Sequence, residues 1–253
     1  MKSKNTILRV NNLSKIFKTN GSLNKVVLNR INFEIKTGEL LGLIGYSGSG
    51  KTTLIRTMLQ LERPSSGEVF FGKTDISKLS SESLRKNVRP FIRMVYQHPE
   101  ASLNPGLTVL QIIQQPYLLH YPEKNHRSVE HCIRLLNEMG LNESYLNKYQ
   151  HELSGGEKRR VAMARALITK PKILIADEPL AGLDKALQYR MLSLLMKQKQ
   201  EHNLTMMIVS HDVDVMLEIC DRILVLNNAE IIENKERTND VLKLEHPQSI
   251  ELF

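Results

Sequence analysis

Eight residues, Gly45-Tyr46-Ser47-Gly48-Ser49-Gly50-Lys51-Thr52, constrain this chain more than any other stretch. They follow an apolar run, Leu40-Leu41-Gly42-Leu43-Ile44, and open a segment of helical pattern over 53–61. The spacing G-x-x-x-x-G-K-T between a strand and a helix predicts a phosphate loop. Its glycines let the backbone curl without a Cβ clash, so successive N–H groups can point inward at phosphate oxygens. The following helix adds the positive end of its dipole. On this reading Lys51 reaches the β- and γ-phosphates of a nucleotide and the Thr52 hydroxyl ligates Mg²⁺. The alternative is a Gly/Ser turn before an ordinary helix.

The 253 residues allow one large α/β domain or a core with a smaller inserted lobe. Charged residues are 25% and hydrophobic ones 41%, which excludes a disordered or membrane-embedded chain. A net charge of +8 permits nucleic acid, an anionic membrane face or nucleotide phosphates as partners. The charges are scattered, with Lys158-Arg159-Arg160 the densest cluster, and the alternative for the balance as a whole is a solvated surface. Cys132 and Cys220 stand apart and form no C-x-x-C, so buried or idle thiols are expected. Residues 1–8 carry no apolar signal core, and no apolar run reaches the roughly 18 residues of a membrane span. A protein made and kept in the cytosol is expected.

Residues 7–13 and 26–35 read as strands. In the second, Val27, Asn29, Ile31, Phe33 and Ile35 alternate onto one face with Leu28 opposite. Thr19-Asn20-Gly21-Ser22 and Thr37-Gly38-Glu39 are turns, and Arg63-Pro64-Ser65-Ser66-Gly67 is a breaker before a short strand over 68–71. Residues 92–97 form another strand candidate. Two helices follow: 108–120, with Pro116 inside it, and 127–139, with Val129, Cys132, Ile133, Leu136 and Met139 on one face and Gly140 as its stop. Residues 88–151 thus read as a mainly helical insertion. Strands then return at 173–176, 205–209, 222–226 and 230–233, and 245–253 is a short helix or a tail. Alternating strands and helices predict a mainly parallel sheet covered on both faces.

Two further stretches carry chemistry. Ile173-Leu174-Ile175-Ala176-Asp177-Glu178 is an apolar strand ending in two acids, which places carboxylates at the strand's carboxyl end, where open α/β sheets bind ligands. Asp177 fits as the Mg²⁺ partner of Thr52, and Glu178 suits a general base that polarises water. In Leu153-Ser154-Gly155-Gly156-Glu157, Ser154 and Glu157 have the spacing of a capping box. Two glycines at the first helical positions cost roughly 1 kcal/mol each against alanine, and a cap alone does not require them. Bare backbone at a helix start suits close approach to a phosphate.

With these motifs in this order, the chain resembles the nucleotide-binding subunit of an ATP-binding cassette (ABC) transporter over nearly its whole length. The loop Val95-Tyr96-Gln97, the stretch Leu180-Ala181-Gly182-Leu183-Asp184 and the run Val209-Ser210-His211-Asp212 complete the set. The resemblance implies an α/β fold: a phosphate-loop NTPase core with a mainly parallel sheet, an antiparallel β N-terminal subdomain and a helical signature subdomain. It implies a single ABC ATPase domain over 1–253, with its core in about 1–87 and 169–253 and its helical lobe in about 88–168. ATP and Mg²⁺ are the implied ligands, with Thr53 joining Gly45 to Thr52 in nucleotide binding. Gln97 contacts Mg²⁺ or the attacking water, and His211 bonds the γ-phosphate beside Glu178. Leu153, Ser154, Gly155, Gly156 and Glu157 bind the ATP of the opposite subunit, and Asp184 couples the two sites. Phe17 stands near where the family stacks an aromatic ring on adenine; a plain core phenylalanine is the alternative.

Glu157 stands where the family more often has glutamine, and Ala181 replaces a frequent serine. The cap argument predicts that the first change is tolerated, since both residues can bond the helix start. A narrower resemblance lies in Gln97-His98-Pro99-Glu100-Ala101-Ser102-Leu103-Asn104-Pro105 and in the tail His246-Pro247-Gln248-Ser249-Ile250-Glu251-Leu252. Both are similar to the peptide and nickel importer subfamily, with Gln248 in place of a tyrosine. That implies an ATPase on the cytoplasmic face of a bacterial membrane, energising import of a peptide, nickel or another metal or metal chelate. The implied partners are a second, non-identical ATPase subunit, two membrane permeases and an extracellular or periplasmic solute-binding protein, with no nucleic acid. The rivals are an ABC-type ATPase acting on nucleic acid or the ribosome, and a subunit that binds ATP but turns it over poorly.

Overall fold

A computed structural model describes residues 5–18, 24–96, 102–123, 128–239 and 241–251. The chain divides into two units, Met1–Leu84 with Thr205–Phe253, and Arg85–Leu204.

The first unit begins with two long strands, β1 (Thr6–Phe17) and β2 (Lys25–Lys36), paired antiparallel. Between them, the expected turn at 19–22 lies outside the described residues. β3 (Leu40–Ile44) follows, buried along its whole length, and leads into α1 (Lys51–Met58). β4 (Ser66–Phe71) pairs with β1, and the two-residue β5 (Thr74–Asp75) closes this antiparallel sheet in the order β2-β1-β4-β5. α2 (Ser81–Asn87) carries the chain into the second unit.

β2 does not keep the expected alternation. Leu28, Ile31, Phe33 and Ile35 are buried together, while Asn29 is exposed and Val27 only half-buried. The cause is a bulge: Arg30 has φ 47°, and the register with β1 slips between Leu13 opposite Ile31 and Lys15 opposite Leu28. One extra residue reverses the inward phase. The freed Arg30 N–H donates to the Ser14 hydroxyl at 3.0 Å.

The second unit opens with β6 (Ile92–Val95), which runs parallel to β7 (Ile173–Asp177). Between them come α3 (Val109–His120), α4 (Ser128–Glu138) and α5 (Gly155–Leu167), with α3 and α4 both packed on α5. α3 starts with a complete Thr108–Gln111 capping box and holds Pro116 inside it. On α4 the inward face is Ser128, Cys132, Leu135 and Leu136, continued by Met139. Val129, expected on that face, is instead 42% exposed, because the buried stripe is rotated toward Ser128 and Leu135. Burial pushes the Cys132 thiol up to about 12, so it stays protonated and inert. Arg159 and Arg160 are half-buried: Arg160 donates to the Met139 and Gly140 carbonyls just past α4, and Arg159 to that of Pro179. α6 (Lys185–His202) ends this unit.

The chain then returns to the first unit with β8 (Thr205–Val209), α7 (Val213–Ile219), β9 (Arg222–Asn227), β10 (Glu230–Glu236) and the short α8 (Pro247–Ile250). β3 lies between β8 and β9, parallel to both, and β10 adds antiparallel to β9. A buried ion pair on Arg222 ties these strands to the antiparallel sheet, beside a more exposed pair between Lys36 of β2 and Glu236 of β10 at 2.5 Å. Arg222, at the start of β9, donates to Glu39 through Nε at 2.7 Å and Nη2 at 3.1 Å; both side chains are at most 5% exposed. The same guanidinium reaches the Glu34 carbonyl of β2 and Asn234 Oδ1 of β10 at 2.9 Å, while Glu39 also accepts the Lys36 N–H at 2.7 Å. Removing one partner strands a buried charge. Arg222→Ala is expected to destabilise the protein by about 3–5 kcal/mol in urea unfolding; a loss below about 1 kcal/mol would show the pair to be incidental.

Candidate functional site

The phosphate loop leaves the carboxyl end of β3 as the sequence predicts. Gly45 (φ 154°) passes so close to β9 that a Cβ there would sit 2.2 Å from the Leu226 carbonyl oxygen. Gly50 (φ 106°) ends the loop as the N-cap of α1 and offers no side-chain cap, which leaves the helix start to an outside acceptor. Lys51 Nζ donates to the Gly45 carbonyl at 2.6 Å and the Tyr46 carbonyl at 2.9 Å, so its ammonium is held against the loop. Ser49 Oγ is buried there without a hydrogen-bond partner. A fixed ammonium, an uncapped helix start and an orphan hydroxyl together suit a polyphosphate. Thr52 and Thr53 lie in the first turn of α1, with Thr52 exposed.

Beside the loop is a cleft of about 690 Å³ bordered by Lys25, Val26, Tyr46, Ser47, Asn227 and Asn228. The turn at Asn228 and Ala229, both at positive φ, falls between two expected strands; nothing in the sequence marked Lys25. Phe17 ends β1 opposite Lys25, 37% exposed, with the Lys15 ammonium 4.8 Å from its ring centroid. It is not a core phenylalanine. His211 leaves the same sheet edge as the loop, because β8 and β3 are parallel with Val209 opposite Leu43. It is exposed, and Asp212 beside it caps α7.

The remaining predicted residues belong to the second unit. Asp177 ends β7 at 4% exposure, and Glu178 follows at 8%. Glu178 has φ 50°, a left-handed conformation that costs a non-glycine residue about 1 kcal/mol or more. Such strain aims a side chain where a regular backbone could not. Asp184 caps α6, its Oδ1 accepting the Leu187 N–H at 2.9 Å, a role the motif reading missed. Gln97 lies outside the described residues.

Leu153 is buried, and Ser154 is the N-cap of α5. Ser154 Oγ accepts the Glu157 N–H at 3.3 Å, and Glu157 Oε2 accepts the Ser154 N–H at 2.7 Å. The box is complete, and Tyr145 adds its hydroxyl to Glu157 Oε1 at 2.6 Å. Gly155 and Gly156 form the first turn. A Cβ on Gly155 would meet nothing within 4 Å, and one on Gly156 only Leu187 at 3.6 Å, and neither has a positive φ. The chain's own fold therefore does not require these glycines.

Comparison with known proteins settles the family. The family model described as ABC transporter matches residues 28–181. The chain belongs to the ABC transporter family. The oligopeptide transport ATP-binding protein AppF of Bacillus subtilis is 40% identical to this ABC subunit over 234 residues, 90% of this chain and 71% of that protein. The oligopeptide transport ATP-binding protein OppF of Streptococcus mutans is 39% identical over 229 residues, covering 90% and 74%. Among solved structures, a dimeric bacterial ABC transporter cassette, MJ0796, superposes with a TM-score of 0.83 at 31% identity, covering 90% of this chain and 98% of that one. The same cassette in a post-hydrolysis dimer bound to ADP and phosphate gives 0.80. The ABC subunit described here thus has the fold expected of it, binds and hydrolyses ATP, and serves transport; the nucleic-acid alternative has no support among these relatives.

The Tyr145 hydroxyl, then the Ser154 cap bonds, hold the Glu157 carboxyl below its ordinary range. The stability this contributes is present above the usual carboxylate value and is lost as pH falls through the lowered one. In Glu157→Gln the amide oxygen can keep the Ser154 N–H while its NH₂ donates to Tyr145, whose hydroxyl can turn and accept. Thermal unfolding at pH 7 is expected to place E157Q within about 0.5 kcal/mol of wild type and E157A about 1–2 kcal/mol below it, with the acid-side loss reduced in both. A collapse of E157Q at pH 7 would contradict the cap.

Proposed function

We propose that this chain is one of two ATP-hydrolysing subunits that energise import of a peptide across a bacterial cytoplasmic membrane. The observation that carries the two-subunit part is Gly155: a glycine at an exposed helix start, where nothing in its own chain needs the space. Bare N–H groups there suit the γ-phosphate of ATP held by the opposite subunit, with Leu153, Ser154, Gly156 and Glu157 shaping the turn. Import and a peptide cargo rest on the relatives named for oligopeptide transport; none of those names mentions nickel or another metal.

In this reading the two units form one ATPase domain, with its core in about 1–87 and 169–253 and a helical lobe over about 88–168. ATP lies with its phosphates on the N–H groups of Gly45 to Thr53, against the Lys51 ammonium, and its adenine on Phe17. Thr52, Asp177 and Gln97 supply oxygen donors alone, the chemistry that suits Mg²⁺. Bound there, Mg²⁺ would offset phosphate charge. Glu178 takes a proton from water; the water oxygen forms a bond to the γ-phosphorus as the bond to the β-phosphate oxygen breaks, leaving ADP and phosphate. His211 and Lys51 hold the charge that develops on the γ-phosphoryl oxygens. Asp184, besides capping α6, couples the two sites across the dimer.

Subunits of such importers work with membrane permeases and pair as cassettes. Here the second ATPase subunit is taken to be non-identical, with two permeases and an extracellular or periplasmic solute-binding protein completing the assembly. The helical lobe is the permease contact. In it Arg89 and Arg93, with Arg85 of α2 just before it, lie near His120, whose pKa burial and these arginines lower. Burial, then Arg165, pulls Arg93 down to about 10. Among the described residues no helix is long and apolar enough to cross a membrane. The subunit is placed peripherally on the cytoplasmic face.

Gly155→Ala separates the two halves of the reading. The variant should keep the wild-type affinity for ATP by calorimetry, since its own phosphate loop is untouched, and should be as stable or up to about 1 kcal/mol more stable. Assembled with its partners, it should lose ATP turnover by at least about tenfold, the loss of one charge-assisted phosphate contact. Unchanged turnover would rule out the shared site.

A further inference from the structure

The phosphate loop is tied to the end of the chain. Tyr46 donates its hydroxyl to the Glu251 carbonyl at 3.2 Å. The acceptor closes the last turn of α8, which is itself fastened to the β9–β10 hairpin. Glu233 on β10 accepts the N–H groups of Glu245 at 2.7 Å and His246 at 3.3 Å, and Lys235 pairs with Glu245 at 2.5 Å. Asn227, at the end of β9, donates to the Gln248 side chain at 3.2 Å. Leu242, Leu244 and Ser249 are buried beneath this segment, so it is packed on the unit rather than trailing from it.

The other side of Tyr46 faces the chemistry. Its carbonyl accepts Lys51 Nζ at 2.9 Å and the Ser49 N–H at 3.1 Å. The tail and the Lys51 ammonium are thus bonded to the same residue, one through its side chain and the other through its carbonyl.

We propose that Tyr46 is a positioning residue: its bond to Glu251 lets the C-terminal turn set the curvature of the phosphate loop, and nucleotide in the loop in turn steadies the tail. This rests on the reading of Gly45 to Thr52 as the phosphate cradle of ATP. The coupling is reciprocal by thermodynamic necessity. A hydroxyl-to-carbonyl bond of this kind is worth about a three- to tenfold change in affinity.

The test uses the full chain, Tyr46→Phe, a chain ending at Leu244, and the two changes combined. ATP affinity is measured by calorimetry and amide exchange over 246–251 with and without ATP. Each single change is expected to weaken ATP binding about three- to tenfold, and the combination no more than the deletion alone, because both cut the same link. ATP should slow exchange of 246–251 in wild type and not in Y46F. Wild-type affinity in Y46F, multiplying effects, or tail exchange indifferent to ATP would overturn the tie while leaving the phosphate loop intact. Wild-type protein without ATP affinity would overturn the cradle and the tie with it. Should the deletion fail to fold, the exchange comparison between wild type and Y46F decides alone.

Discussion

A single buried guanidinium holds together the strands that carry the phosphate loop. Arg222 meets Glu39 at the entrance to β3 and reaches β2 and β10 with its remaining donors. Two desolvated charges cost several kcal/mol each, and only a complete set of bonds offsets that. Here Nε, Nη1 and Nη2 all have acceptors, and both Glu39 oxygens are bonded. The pair therefore contributes registry more than net stability. It fixes where β3 begins, and β3 is five buried residues long, so it also fixes where Gly45 emerges beside Leu226.

From that point the loop is shaped by close approach. Gly45 and Gly50 have backbone neighbours that a side chain would strike, so the curl of the loop is built into the packing. The signature turn is the opposite case. Gly155 has open space around it and an ordinary helical backbone, yet it carries the entropy cost of glycine. One set of glycines answers to the fold, and the other answers to something outside the chain. That contrast is the physical basis for treating the protein as half of a site.

The phosphate loop, the acidic strand and the Ser154–Glu157 cap were legible because each depends on residues adjacent in sequence. The parallel strands at 173–177 and 205–209 were legible for a similar reason, being short apolar runs bounded by breakers. What was not legible depends on register. The bulge at Arg30 reverses the inward face of β2, and no local signal distinguishes Arg30 from its neighbours. Val129 shows the same limit on a helix, where the buried stripe is rotated toward Ser128 and Leu135. The Asp184 cap was hidden behind its place in a motif. The Tyr46–Glu251 contact spans 205 positions, and pairings of that range cannot be read from spacing. The expected site residues themselves fall in both units, Lys51 and His211 in one, Asp177, Glu178 and the signature in the other.

The central claim is that one chain binds ATP and two complete the chemistry. The most direct test is the specific ATPase rate of the purified chain across a concentration series, with its mass followed by light scattering. The account predicts no turnover above the spontaneous rate wherever the protein is monomeric, although ATP is bound, and a rise only when a second cassette joins it. A constant, substantial rate per chain at dilutions where only monomer is present would contradict it.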